Sequence, residues 1–141
     1  MNTVSVMRKF VLLLLCLAAP AIAAEKMSAP QLIDLAKSNG SGLRDAIVAS
    51  FDAKDLKEGT AWAGQGPDFF FATEAPSQPS LVIDDSTGPQ MQHLAGSSDL
   101  WYATAHIEAV AKLHSFHYTV HGAAFGGKLD LPAFGAPISA T

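Results

Sequence analysis

Four of the five histidines lie between His106 and His121, and His114, His117 and His121 are spaced i, i+3, i+7. On a helix that spacing would gather three imidazoles on one face, where they could ligate zinc. The neighbouring residues favour a strand instead, because Phe116, Tyr118, Thr119 and Val120 are aromatic or β-branched. In a strand His114 points with Phe116, Tyr118 and Val120. His117 and His121 then point the other way, about 13 Å apart at the ~3.3 Å rise per residue, and no single ion spans that gap. The sequence therefore assigns no metal site, and a His-dependent metal enzyme is the weakest of three functional readings.

Other catalytic chemistry finds no better footing. The nucleophile-elbow pattern Gly-x-Ser-x-Gly is absent; Gly40-Ser41-Gly42 and Gly96-Ser97-Ser98 lack its spacing and read as turns. Asp84-Asp85 sits where a strand meets a turn, which suits a solvated Asx pair better than a general acid/base dyad. The glycines from Gly122 to Gly127 come without the Lys-Ser/Thr of a phosphate-binding loop, and a hairpin turn explains them. No catalytic residue and no cofactor is assigned.

Aromatic residues carry the positive signal for binding. Trp62, Phe69, Phe70, Phe71, Trp101, Tyr102, Phe116 and Tyr118 all fall in candidate strands. Alternation separates Phe70 from Phe69 and Phe71, and Trp101 from Tyr102, so part of this surface is expected outside the core. Trp101, Tyr102, Tyr118 and Trp62 are the candidates for contact with a ligand or a neighbouring domain.

The elements that must hold these side chains follow from periodicity. Ser28 caps a helix that tolerates Pro30 in its first turn and carries Leu32, Ile33, Leu35 and Ala36 on one stripe. A second short helix runs over 43–51 with Leu43, Ile47, Val48 and Phe51 on one face, and the charged stretch 52–58 closes the segment. From Gly59 the period changes to two, and turn residues recur about every ten positions. Strands are expected at 60–64, 68–74, 80–84, 90–94, 100–108, 114–121 and 124–129, with turns at 66–67, 76–79, 86–89, 96–99 and 126–127. Up to seven short strands without intervening helices imply a mainly β fold: an antiparallel sandwich of immunoglobulin-like type behind two short N-terminal helices.

Residues 1–24 read as a cleaved export signal. Arg8 and Lys9 precede an apolar run over 10–19, and Ala21-Ile22-Ala23 supplies the small-x-small cleavage pattern. The apolar run is half of the roughly 20 residues a membrane-spanning helix needs. Cleavage leaves about 117 residues, divided into a helical extension over 25–58, a sandwich over 59–132 and a tail or truncated linker over 133–141. It also removes Cys16, the sole cysteine, along with two of the nine basic residues, so the charge of −4 becomes more negative. The remaining Lys and Arg are scattered, which excludes a nucleic-acid partner. A secreted or periplasmic location follows, with no membrane association after cleavage.

The segments GTAWAGQGPDFFFATE (59–74), PQMQ (89–92), LWYA (100–103), LHSFHYTVHG (113–122) and FGGKLDLPAFG (125–135) resemble the N-terminal region of secreted bacterial esterases of the enterochelin-esterase-like, esterase D-type group. The resemblance covers nearly all of the chain after the signal. It implies an early-set, immunoglobulin-like β-sandwich similar to family-48 carbohydrate-binding modules and isoamylase N-terminal domains. In that group the region precedes an α/β-hydrolase domain bearing a Ser-His-Asp triad, and no triad position has a counterpart here. The chain is expected to be a non-catalytic accessory domain, working with an esterase domain in cis or in trans, with polysaccharide as a further partner. The alternative is a free-standing carbohydrate-binding module.

Overall fold

The computed structural model describes residues 26–38, 41–97, 99–108 and 113–131. The expected export signal and C-terminal tail lie outside the described residues. Three short helices come first: α1 (Ala29–Lys37), α2 (Leu43–Ser50) and α3 (Ala53–Glu58). Eight strands follow: β1 (Trp62–Gln65), β2 (Asp68–Glu74), β3 (Ser80–Ile83), β4 (Ser86–Gln90), β5 (Gln92–His93), β6 (Leu100–His106), β7 (His114–Val120) and β8 (Ala123–Leu131). They form two antiparallel four-stranded sheets, ordered β1-β2-β6-β5 and β4-β3-β7-β8. The expected mainly β sandwich is therefore present.

Two cores, not one, organise the chain. Between the sheets lie Phe69, Phe71, Leu81, Met91, Ala103, Phe116, Tyr118 and Leu131. On the far side of the first sheet, Leu32, Ile33, Leu43, Ala46, Ile47 and Leu56 from the helices cover Ala61, Phe70, Ala72, Leu100 and Tyr102. Strand β2 belongs to both cores, which explains its run of three phenylalanines. A strand covered on both faces loses the alternation of a half-solvated one and becomes continuously apolar.

The helices start and stop for local reasons. Gln31 Oε1 accepts from the Ser28 N–H at 2.9 Å, and Pro30 needs no donor in the first turn. The Met27 N–H donates to Ser50 Oγ at 2.9 Å, tying the approach to α1 to the end of α2. On α2 the expected inward Val48 is 58% exposed; Ala46 and Ser50 take the buried positions, because the helix rotates to seat Leu43 and Ile47. The sequence reading of two helices missed α3, whose only buried residue is Leu56. One apolar side chain leaves no stripe to read. Gly59 ends this helix in the left-handed conformation, at φ +76°.

Strand β4 corrects a second expectation, which places a turn at 86–89. The turn is Asp84-Asp85, both at positive φ, as a two-residue type I′ hairpin requires. β4 pairs only with β3, so Pro89 sits on an edge strand, where a missing donor is tolerated. Met91 is the buried pivot at which the chain leaves β4 in one sheet for β5 in the other.

Gly126-Gly127, expected to be a turn, lies inside β8, and the hairpin turn is His121-Gly122. The pairing of β7 with β8 shifts register between Phe116 and Tyr118, where the two glycines stand opposite the single residue His117 and form a bulge of one extra residue. The Gly127 N–H donates to the Gly59 carbonyl at 2.8 Å, closing this edge against the joint between α3 and β1.

Candidate functional site

The structure separates the four aromatic candidates. Trp62, on the edge strand β1, and Trp101, on the interior strand β6, are both half-buried and face the inter-sheet core with Phe69 and Phe71. The Trp101 indole N–H donates to the Ala75 carbonyl at 3.1 Å, and its ring lies 4.8 Å from that of His93 across the strand pair. Tyr102 points the other way, beneath the helices. Its ring stacks on Phe70 at 6.0 Å, Phe70 stacks on Phe51 at 6.2 Å, and its hydroxyl donates to Gln92 at 3.0 Å. Tyr118 is fully buried between the sheets. Trp101, Tyr102 and Tyr118 share no surface, because the core claims the two tyrosines.

Burial pushes the Tyr118 phenol well above its ordinary range, and among the described residues its hydroxyl has no hydrogen-bond partner. An unsatisfied buried hydroxyl costs about 1–3 kcal/mol. Tyr118→Phe is therefore expected to stabilise the fold by about 1 kcal/mol, raising Tm by roughly 4 °C. A fall in Tm on differential scanning calorimetry would show that the hydroxyl is bonded in solution.

The histidines fall into separate environments. His114 is completely buried, beside Phe116 and Tyr118 on the inward face of β7. Its Nδ1 lies 2.5 Å from Asp84 Oδ2, while Asp84 Oδ1 accepts the Ser115 N–H at 2.9 Å. Asp84, read as a solvated turn residue, thus fastens the β3–β4 turn to the start of β7. A His–Asp pair is part of many hydrolytic sites, but this ring presents no surface to a substrate, and the pair acts as a structural clamp. His106 is exposed, with Nδ1 2.9 Å from Asp68 and Nε2 3.3 Å from Glu108. The hydrogen bond that its ring donates to the Asp68 carboxylate raises the imidazole pKa above its usual value. Exposed pairs of this kind add little stability.

Among the described residues a concavity lies along β1. A cleft of about 490 Å³ separates that strand from a wall made by the approach to α1 and the α2–α3 junction. Phe51, Asp52 and Asp55 stand on the wall, with Lys26 and Met27 beside them, and Thr60 to Gln65 form the opposite side. The Thr60 hydroxyl donates to Asp55 Oδ1 at 2.9 Å, which fixes that carboxylate at the end of the cleft. Of the sequence candidates only Trp62 borders this cleft. Nothing local announces it, since residues 26–29 and 60–65 meet only through tertiary packing. Comparison with known proteins finds no matching family model, no matching curated protein and no matching solved structure.

Proposed function

We propose that this chain is the non-catalytic accessory domain of an exported carboxylic-ester hydrolase, packed against an α/β-hydrolase domain in cis or in trans. The observation that carries the reading is the inequality of the two outer sheet faces. Helices cover the first sheet, whereas the second presents Ser80, Val82, Thr87, Ser115, His117 and Thr119 outward, alternating with buried Leu81, Phe116 and Tyr118. These outward side chains are short or neutral, and cross-strand pairs such as Val82 with His117 and Ser80 with Thr119 keep them level. Across β3, β4 and β7 this face carries no Asp, Glu, Lys or Arg, the charges of Lys128 and Asp130 being confined to the β8 edge, and such a face suits permanent packing on another domain better than capture of an ionic ligand. In that role the face forms one wall of an esterase cleft and excludes water from it.

Three measurements test this. The purified chain is expected to hydrolyse p-nitrophenyl acetate no faster than a heat-killed control; activity above the control sinks the non-catalytic claim. The DNA beyond the Thr141 codon, or the adjoining frame, is expected to encode a hydrolase with Gly-x-Ser-x-Gly. Against that hydrolase, Thr119→Glu is expected to weaken association by about tenfold, because it buries an unpaired charge. Equal association by a folded Thr119→Glu variant would move the interface elsewhere. Affinity electrophoresis on xylan, glycogen and starch separates the alternative: retardation abolished by Trp101→Ala would favour a free-standing carbohydrate-binding module.

A further inference from the structure

Every sheet with free edges must deal with unpaired backbone groups, and three of the four edges here are blunted by recognisable devices. β4 carries Gly88, Pro89 and a register break opposite Ser80 and Val82. β8 carries the Gly126-Gly127 bulge, the charges of Lys128 and Asp130, and the bond from Gly127 to Gly59. β5 is two residues long. The fourth edge, β1, reads Trp-Ala-Gly-Gln, with no charge, no proline and no register shift.

The open groups on β1 can be named. A two-residue turn at Gly66-Pro67 makes Gln65 and Asp68 a hydrogen-bonded pair, and alternation makes Ala63 and Phe70 the next such pair. Trp62 and Gly64 therefore aim their N–H and C=O groups away from β2. No hydrogen bond among the described residues takes them up. These groups face the cleft of about 490 Å³ described above.

We propose that this cleft is a slot for an extended peptide, which adds to the first sheet as a strand beside β1. The wall of Met27, Phe51, Asp52 and Asp55 stands alongside the edge, so a second folded copy cannot bring its own edge strand in, whereas a single extended chain can. The peptide's alternate residues fall on the two faces that β1 itself separates: Ala61 and Ala63 toward the helix-side core, Trp62 toward the inter-sheet core. Asp52 and Asp55 outnumber Lys26 in the lining, and the net negative charge favours a basic side chain on the peptide. Backbone pairing supplies the affinity, and those two faces and two carboxylates supply the selectivity.

The test uses a short peptide alternating valine with lysine, titrated into the isotopically labelled chain. The amide resonances of Trp62 and Gly64 are expected to shift and become protected from hydrogen exchange. N-methylation of the peptide amides that face β1 is expected to weaken binding by about tenfold, since each lost bond leaves a buried group unpaired. Asp52→Asn is expected to weaken the lysine peptide by about threefold at low salt and leave a serine-substituted peptide unchanged. Four results overturn the proposal: no shift at Trp62 and Gly64, equal binding of the N-methylated peptide, prior protection of these amides by residues preceding Lys26, or self-association of the free chain through β1.

Discussion

Replacing Gly127 with alanine is expected to destabilise the fold by about 4 kcal/mol or more, enough to leave much of a domain of ordinary stability unfolded. Gly127 sits at φ +97°, and a Cβ built on it lies 1.9 Å from the Phe116 carbonyl oxygen. Neither neighbour can yield, because that oxygen belongs to the middle of β7 and the Gly127 N–H is held by Gly59. Gly122→Ala is the control: its φ is +82°, but nothing lies within 4 Å of the added carbon. Only the backbone penalty applies there, about 1–2 kcal/mol. Urea denaturation of both variants separates the two effects. If Gly127→Ala lies within about 1 kcal/mol of Gly122→Ala, the bulge is more pliable than the packing implies.

Phe70→Ala is expected to cost about 3–5 kcal/mol, and to do so in a particular place. Phe70 is the middle ring of the stack formed with Phe51 and Tyr102, and it is fully buried under the helices. Phe71, next in sequence and equally buried, faces Phe116 across the sandwich at 4.8 Å. Truncating either ring removes a similar volume. Only Phe70→Ala strips the support from the helical layer, and with it the wall of the cleft. Hydrogen exchange under mildly native conditions is expected to show α1 and α2 opening below the global transition in Phe70→Ala and not in Phe71→Ala. Identical helix protection in the two variants would mean that the layers unfold as one unit.

The fold class was legible because its signals are local. Ser28, Pro30 and Gln31 mark the first helix, Asp68 to Glu74 is a strand with the bounds its residues predict, and the aromatic and β-branched run after His114 reads as a strand despite its helical histidine spacing. The errors have equally physical causes. β4 is held by its partner more than by its own propensity, α3 carries too few apolar residues to show a period, and the Gly126-Gly127 bulge uses the same residues as a turn. The site was harder to read. Alternation places Tyr118 and Trp101 on definite faces of their strands, but which face is inward depends on a second sheet that no local pattern specifies. The pairing of Asp84 with His114 joins residues 30 apart, the cleft beside β1 brings 26–29 to 60–65, and only the assembled chain makes either.

The double burial of β2 has a consequence for the route by which the chain folds. Hairpins β1–β2, β3–β4 and β7–β8 close over short turns, on a timescale of about 1–10 μs. The pairing of β2 with β6 and of β3 with β7 spans about 30 residues each time and must wait for slower loop closure. Until β6 arrives on one side and the helices dock on one face, Phe69, Phe70 and Phe71 form an uncharged, strongly β-prone run open to other chains. The segment that unites both cores of the native state is therefore also where aggregation during refolding should begin, and Asp68 and Glu74 at its ends are the charges placed to discourage it.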